Sequence, residues 1–186
     1  RAAALRPRDY YLWVMLGVSR DQSDDETGAL VALTQAVQLA PFYAQPRWQF
    51  GNVLFRAGQA DEGFREMRRA ALSDPTFLPN MIDLAWGASN KDPAVTERLV
   101  QSDNKHWRLA LAHFFARKGQ PAEALNLYRA AGASSEQDRQ LFIKELLEAK
   151  GYVEAYEVWA TGKSGSDDKT RPSGIGQITN GSFENQ

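Results

Sequence analysis

Residues 41–75 read PFYAQPRWQFGNVLFRAGQADEGFREMRRAALSDP, a stretch that begins and ends with proline. Pro41 and Pro75 are 34 residues apart, and Pro7 lies 34 residues before Pro41. The same interval separates small residues along the chain, namely Ala2, Ala36 and Ala70, and also Gly17 and Gly51. A fixed period of this length indicates a chain built from a repeated supersecondary unit.

Each unit is predicted to contain two short helices closed by a proline. Gly17 and Gly51 fall in the first helix, where glycine is about 1 kcal/mol less favourable than alanine, so a packing reason for them is expected. Small residues at Ala29 and Gly63 in the second helix would let the two helices approach within the ~8–10 Å of packed pairs. The proline then ends the second helix, because it lacks an N–H group and clashes with the preceding turn.

This pattern resembles the tetratricopeptide (TPR) repeat. The matching residues are Trp13, Leu16, Gly17, Ala29, Leu33, Ala36 and Pro41 in the first unit, and Phe50, Gly51, Leu54, Gly63, Met67, Ala70 and Pro75 in the second. The resemblance implies an all-α fold: a right-handed superhelix of four to five antiparallel helix pairs over residues 10–163. One such unit buries only part of its apolar face, so several units must stack to form a stable array.

The later units depart from the pattern. The third has Ala85 in place of the packing glycine, and its second helix shrinks to residues 93–101, beginning at the N-cap pair Asp92 and Pro93. The fourth recovers the spacing over residues 105–134 without a terminal proline, and a fifth, weaker pair follows on either side of Gly151. Two capping boxes are predicted, Ser23 with Glu26 and Ser134 with Gln137.

Composition excludes several classes of protein. The chain has 186 residues, 43% hydrophobic and 24% charged, which is an ordinary composition for one globular or solenoid domain. Its formal net charge of −1 gives no field that attracts polyanions, so nucleic-acid binding is disfavoured, and Arg65, Arg68 and Arg69 are interpreted as a solvated helix face. No cysteine is present for a disulfide or a metal site. Membrane contact is expected only through segments outside this sequence.

The two ends are expected to differ from the array. Residues 1–9 resemble the end of a preceding repeat, so the chain is expected to be a piece of a larger protein, which we expect to be bacterial. Residues 164–177 are rich in Gly, Ser, Asp and Lys and are predicted to be a flexible linker. Residues 178–186, with Asn180, Gly181 and Phe183, resemble the opening strand of bacterial carbohydrate-binding-like jelly rolls, a truncated β domain. That resemblance favours a periplasmic or extracellular location.

The sequence offers little for catalysis. The two histidines, His106 and His113, are seven residues apart on one predicted helix, about 10 Å along its axis, so they cannot chelate one ion together. A groove-lining or partly buried role is expected for them instead. Phosphate-binding glycine loops, zinc-protease motifs and serine-hydrolase elbows are absent from the sequence. We therefore expect no enzyme, no cofactor and no metal.

The resemblance implies where a partner would bind. In TPR proteins the first helices of successive units line a concave surface that holds peptides. The corresponding positions of this chain are Tyr11, Val14, Val18, Trp48, Asn52, Phe55, Arg56, Ile82, Trp86, His106, His113 and Arg117. Trp48, Phe55 and Trp86 are large rings at positions that the helix-pair interior does not require, whereas Trp13, Trp107 and Trp159 are expected in the core.

Two functions follow as alternatives. The first is a non-catalytic scaffold that binds a protein or peptide segment in a concave aromatic groove. The second is a structural spacer, or an accessory region, that positions a carbohydrate-binding-like domain or a domain related to envelope polysaccharides.

Overall fold

The computed structural model describes residues 5–132 and 134–163. That part of the chain forms ten α-helices and one 3-10 turn at Pro75–Phe77. The helices are α1 (Tyr10–Asp21), α2 (Glu26–Leu39), α3 (Ala44–Arg56), α4 (Ala60–Ser73), α5 (Leu78–Ala88), α6 (Pro93–Val100), α7 (Lys105–Arg117), α8 (Pro121–Ala131), α9 (Glu136–Glu148) and α10 (Tyr152–Lys163). The all-α class and the number of helix pairs are as predicted.

Consecutive helices pack as five pairs, α1 with α2 through α9 with α10. Glycines in the left-handed region form the turns inside two pairs, with a φ of 78° at Gly58 and 75° at Gly119. The third pair has the shortened second helix that the sequence predicted, and the Asp92 side chain caps it by accepting a hydrogen bond from the N–H of Val95.

The packing glycines are confirmed at the second unit. A Cβ atom on Gly51 would lie 2.7 Å from the carbonyl oxygen of Gly63, and a Cβ on Gly63 would lie 2.8 Å from that of Gly51. In the first unit, a Cβ on Gly17 would lie 2.5 Å from Cγ of Leu33, so the close neighbour is Leu33 and not the expected Ala29. Glycine at these positions allows the backbones of each pair to approach.

Both predicted capping boxes are wrong by one or two residues. Asp25 caps α2 by accepting from the N–H of Gly28, while the Ser23 hydroxyl donates back to the carbonyl of Ser19 at the end of α1. Ser135 caps α9 by accepting from the N–H of Asp138. The Ser134 hydroxyl is instead hydrogen-bonded to the Tyr128 hydroxyl.

One side-chain bond recurs at the start of three units. The indole N–H of Trp13 donates to the carbonyl of Pro7 at 2.9 Å, and Nε of Arg47 donates to that of Pro41 at 2.8 Å. Nε of Arg108 repeats this arrangement on the carbonyl of Ser102 at 2.9 Å. Each donor lies six residues after its acceptor, so the bond holds the loop that precedes a unit against the first helix of that unit.

The core divides into two clusters of buried residues. The larger runs from Phe64 on α4 to Val158 on α10. The smaller contains Ala29 and Leu33 of α2 with Val53 of α3. The first pair is therefore joined to the array through a separate and much smaller apolar cluster.

Two expectations about the surface are changed. Arg68 is partly buried and donates to the carbonyl of Leu99 at 2.7 Å, so the arginines of α4 are only in part a solvated face. Trp159, expected in the core, is 43% exposed.

None of the helices in the described ranges is both long and apolar enough to cross a membrane. The predicted linker at 164–177 and strand at 178–186 lie outside the described residues, as do residues 1–4 of the N-terminal segment.

Candidate partner-binding surface

The twelve predicted binding residues all lie on the first helices α1, α3, α5 and α7, but they differ in exposure. The exposed ones are Tyr11, Arg56, His106 and Arg117, and the partly buried ones are Val18, Trp48, Asn52 and Phe55. The buried ones are Val14, Ile82, Trp86 and His113. The structure therefore leaves eight of the twelve accessible to a partner.

Val14, Ile82 and Trp86 are core residues, which corrects their assignment to the binding surface. They are 1%, 2% and 7% exposed. The Trp86 ring lies 5.8 Å from the rings of both Phe114 and Phe115, between α5 and α7. The following pair covers this tryptophan, because α7 packs across α5 at this point.

His113 belongs to a buried polar cluster that joins α7 to α9. Its Nδ1 lies 2.6 Å from Oε2 of Glu145, and its Nε2 lies 3.1 Å from Oδ1 of Asp138. Arg117 donates to the other oxygen of Glu145 at 2.8 Å. His113 therefore connects α7 to α9, and Arg117 already has a hydrogen-bond partner in Glu145.

Ion pairs also connect successive first helices elsewhere. Arg56 on α3 pairs with Asp21 on α1 at 2.5 Å, and Lys118 after α7 pairs with Asp83 on α5 at 3.6 Å. Asn52 donates to the carbonyl of Trp48 within its own helix. The polar side chains of the predicted surface therefore contribute partly to holding neighbouring units together.

An open cleft of about 650 Å³ lies at the start of α3, between the loops that join units one to two and two to three. We call it the aromatic cleft. Its main lining residues are Phe42, Tyr43, Gln45, Trp48, Asp74 and Phe77. Trp48 stacks on Phe77 with ring centres 5.0 Å apart, whereas Phe42 is 86% and Tyr43 58% exposed. Exposed aromatic rings of this kind are typical of recognition surfaces.

Sequence reasoning found Trp48 but missed the loop residues of the aromatic cleft. The prediction considered only positions on the first helices, and Phe42, Tyr43 and Phe77 lie before or between helices. A signal was present: an aromatic residue follows each repeated proline by two or three positions. The three are Tyr10 after Pro7, Tyr43 after Pro41 and Phe77 after Pro75. The rings of Tyr10, at the start of α1, and Tyr43, just before α3, lie 5.1 Å apart.

Hydrogen bonding fixes the one carboxylate of the aromatic cleft. Oδ1 of Asp74 accepts from the hydroxyl of Thr76 at 2.7 Å and from its backbone N–H at 3.0 Å. These two bonds lower the pKa of Asp74 below its ordinary value, because they favour the charged form. The described residues contain no group of three or more His, Asp or Glu that could hold a metal ion.

Comparison with known proteins gives similarity at the level of solved structures. No protein-family model matches the chain, and no curated protein matches it. PilF of Pseudomonas aeruginosa is 16% identical, with 87% of this chain and 79% of that chain covered and a TM-score of 0.44. YrrB, described as a TPR protein with an unusual peptide-binding site, is 15% identical, with 90% and 92% covered and a TM-score of 0.43.

Proposed function

Because the chain folds as a TPR-like array of five helix pairs, we propose that it is a non-catalytic scaffold that binds a protein or peptide segment along its first helices. The observation that carries this proposal is the aromatic cleft, where two rings are largely exposed beside two that are stacked. Burying such rings against a partner contributes more binding energy than most other side chains.

The accessible predicted residues lie on the first helices of the pairs. Tyr11 on α1, Asn52 and Phe55 on α3, and His106 on α7 present aromatic, amide and imidazole groups to solvent or at its edge. Met15 on α1 and Leu141 on α9 are half-exposed apolar residues on two further positions of the first helices. A surface that mixes apolar area with hydrogen-bonding groups suits a peptide whose main chain also requires partners.

Rigidity favours binding without a large rearrangement of the scaffold. The Asp21–Arg56, Asp83–Lys118 and Glu145–Arg117 pairs connect the first helices of successive units. A surface that is already ordered loses little conformational entropy on binding, so the ordering cost falls mainly on the partner.

A display library of random 12-residue peptides, selected on the full chain, tests this proposal. We expect enriched peptides with micromolar affinity, and we expect Phe42→Ala to weaken them by about tenfold, since its ring has little role in the folded core. Val31→Ala, an exposed residue on the second helix α2, is the matched control and should bind like wild type. If no peptide is enriched, or if Phe42→Ala and Tyr11→Ala both bind unchanged, the scaffold proposal is wrong and the spacer function is favoured.

A further inference from the structure

Charge is the first indication of what the aromatic cleft would hold. Asp74 is the single charged residue among those that line it. Arg47, the nearest arginine on α3, is already engaged with the carbonyl of Pro41 and with Glu66 at 2.5 Å. Its charge is therefore matched elsewhere, and the aromatic cleft presents an uncompensated carboxylate.

The carboxylate is oriented as well as charged. Both hydrogen bonds from Thr76 end on Oδ1, so Oδ2 of Asp74 is left to accept from a ligand. An aspartate of ordinary pKa is already ionised at neutral pH, and those bonds lower the pKa of Asp74 further.

The aromatic rings of the cleft favour an arginine guanidinium group over a lysine ammonium group. Planar guanidinium groups stack on aromatic faces and donate in parallel to a carboxylate, whereas a lysine ammonium is more strongly hydrated and has no plane to stack. Phe42 and Tyr43 line the aromatic cleft with exposed rings, and the stacked rings of Trp48 and Phe77 line it as well. The side-chain amides of Gln45 and Gln49 also line it and suit the main chain on either side of such a residue.

We propose that the aromatic cleft binds the arginine side chain of the partner segment, with the guanidinium group between the exposed rings and Oδ2 of Asp74. This inference rests on the proposed scaffold function, because it names the residue type that the surface selects. A small arginine compound tests it without requiring the rest of a peptide.

The experiment uses N-acetyl-arginine methylamide and its uncharged isostere, N-acetyl-citrulline methylamide, titrated into the full chain. Binding is followed by NMR at the indole N–H of Trp48, which is assigned with Trp48→Phe. We expect millimolar binding of the arginine compound, with the citrulline compound about fivefold weaker because it lacks the charge. Asp74→Asn keeps the side-chain shape and should reduce arginine binding to the citrulline level.

Asp92→Asn is the matched control. Asp92 also precedes a proline and caps the following helix, but it lies at α6, outside the aromatic cleft. Arginine binding should be the same in this variant as in the wild type.

Three outcomes would overturn the inference: equal binding of the two compounds, unchanged arginine binding in Asp74→Asn, or no binding at concentrations into the tens of millimolar. The peptide library separates these from failure of the scaffold function. Enriched peptides without arginine would overturn the arginine site and leave the scaffold in place. Arginine binding with no enriched peptide would support the site and reject the scaffold.

Discussion

Gly51 and Gly63 show how little space separates the two helices of one unit. A methyl group on Gly51 would lie 2.7 Å from the Gly63 carbonyl oxygen and 2.8 Å from Cγ of Met67. We expect Gly51→Ala to lower the free energy of unfolding by about 1–3 kcal/mol, the cost of overpacking, although alanine is the better helix former. Urea denaturation followed by circular dichroism measures the change.

Gly87→Ala is the control for this prediction. Gly87 also lies in a helix, α5, but a Cβ there would meet no atom within 4 Å. We expect this variant to gain about 0.5–1 kcal/mol, because only the helix propensity changes. If both variants shift in the same direction, the close approach of α3 and α4 is not what requires glycine at position 51.

Tyr128 makes the stability of the fourth and fifth pairs sensitive to alkaline pH. Burial raises its pKa above the ordinary value, and the bond with the Ser134 hydroxyl opposes that shift without cancelling it. A phenol whose pKa is higher in the folded state contributes stability that is present below the unfolded pKa of about 10 and is lost as pH rises through the folded pKa.

We therefore expect the free energy of unfolding to decline above about pH 10, and to decline less steeply in Tyr128→Phe. This variant keeps the stack on Phe142, whose ring lies 4.2 Å away. Tyr152→Phe, at an exposed position on α10, should decline like the wild type. Denaturation at a series of pH values measures the slopes. A parallel decline in Tyr128→Phe and wild type would contradict the assignment.

The sequence predicted those features of the helices that depend on residues close in the chain, namely their number and most of their ends. The prolines and the glycine at Gly58 mark where helices stop, and Asp92 with Pro93 marks the start of α6, so the number of helices and most of their ends could be predicted. The capping residues predicted at Ser23 and Ser134 are wrong because each helix begins later than predicted, so that Asp25 and Ser135 accept from the N–H groups of Gly28 and Asp138. Neighbouring Ser, Asp and Asn residues cannot be ranked by spacing alone.

The 34-residue period could not predict which of the proposed binding residues are buried. Trp86 occupies a position that faces outward within its own pair, and it is covered by Phe114 and Phe115 of a helix nearly thirty residues later. That contact depends on how α7 crosses α5, which the repeat spacing does not specify. The same applies to His113, whose partners lie on α9.

The His113 cluster should determine how firmly α9 is held to α7. In His113→Phe the ring contact with Phe142 can persist, but the carboxylates of Glu145 and Asp138 lose their shared hydrogen-bond partner. We expect a loss of about 1–3 kcal/mol, because Glu145 is buried and would retain only Arg117. The amides of α9 should exchange faster with solvent deuterium.

Two further variants test the cause of that loss. Adding Glu145→Met to His113→Phe removes the buried charge and should restore part of the stability. Lys144→Ala breaks only an exposed pair with Glu148, 3.9 Å apart on the same helix, and should change stability by less than about 0.5 kcal/mol. If His113→Phe is no less stable than Lys144→Ala, the cluster does not hold α9.

Across the whole molecule, the division of the core predicts that the array does not unfold as one unit. In repeat arrays each unit is stabilised by its neighbours, so a unit with a weak interface opens first. Among buried apolar residues, the small cluster of Ala29, Leu33 and Val53 joins the first pair to the second, while a continuous cluster runs from Phe64 to Val158. We expect hydrogen exchange with mass spectrometry to show lower protection in α1 and α2 than in α4, α7 and α8.

Truncations on the two sides of this division should act differently. Leu33→Ala should lower protection in α1 and α2 alone, because its cavity lies in the smaller cluster. Phe115→Ala should lower protection from α5 to α9, since its fully buried ring lies in the larger one. Two results would contradict this division: equal protection along the native array, or a Leu33→Ala effect that reaches α8. Either result would mean that the first pair is fully coupled to the others, through the ion pair between Asp21 and Arg56 and the packing of α2 on α3.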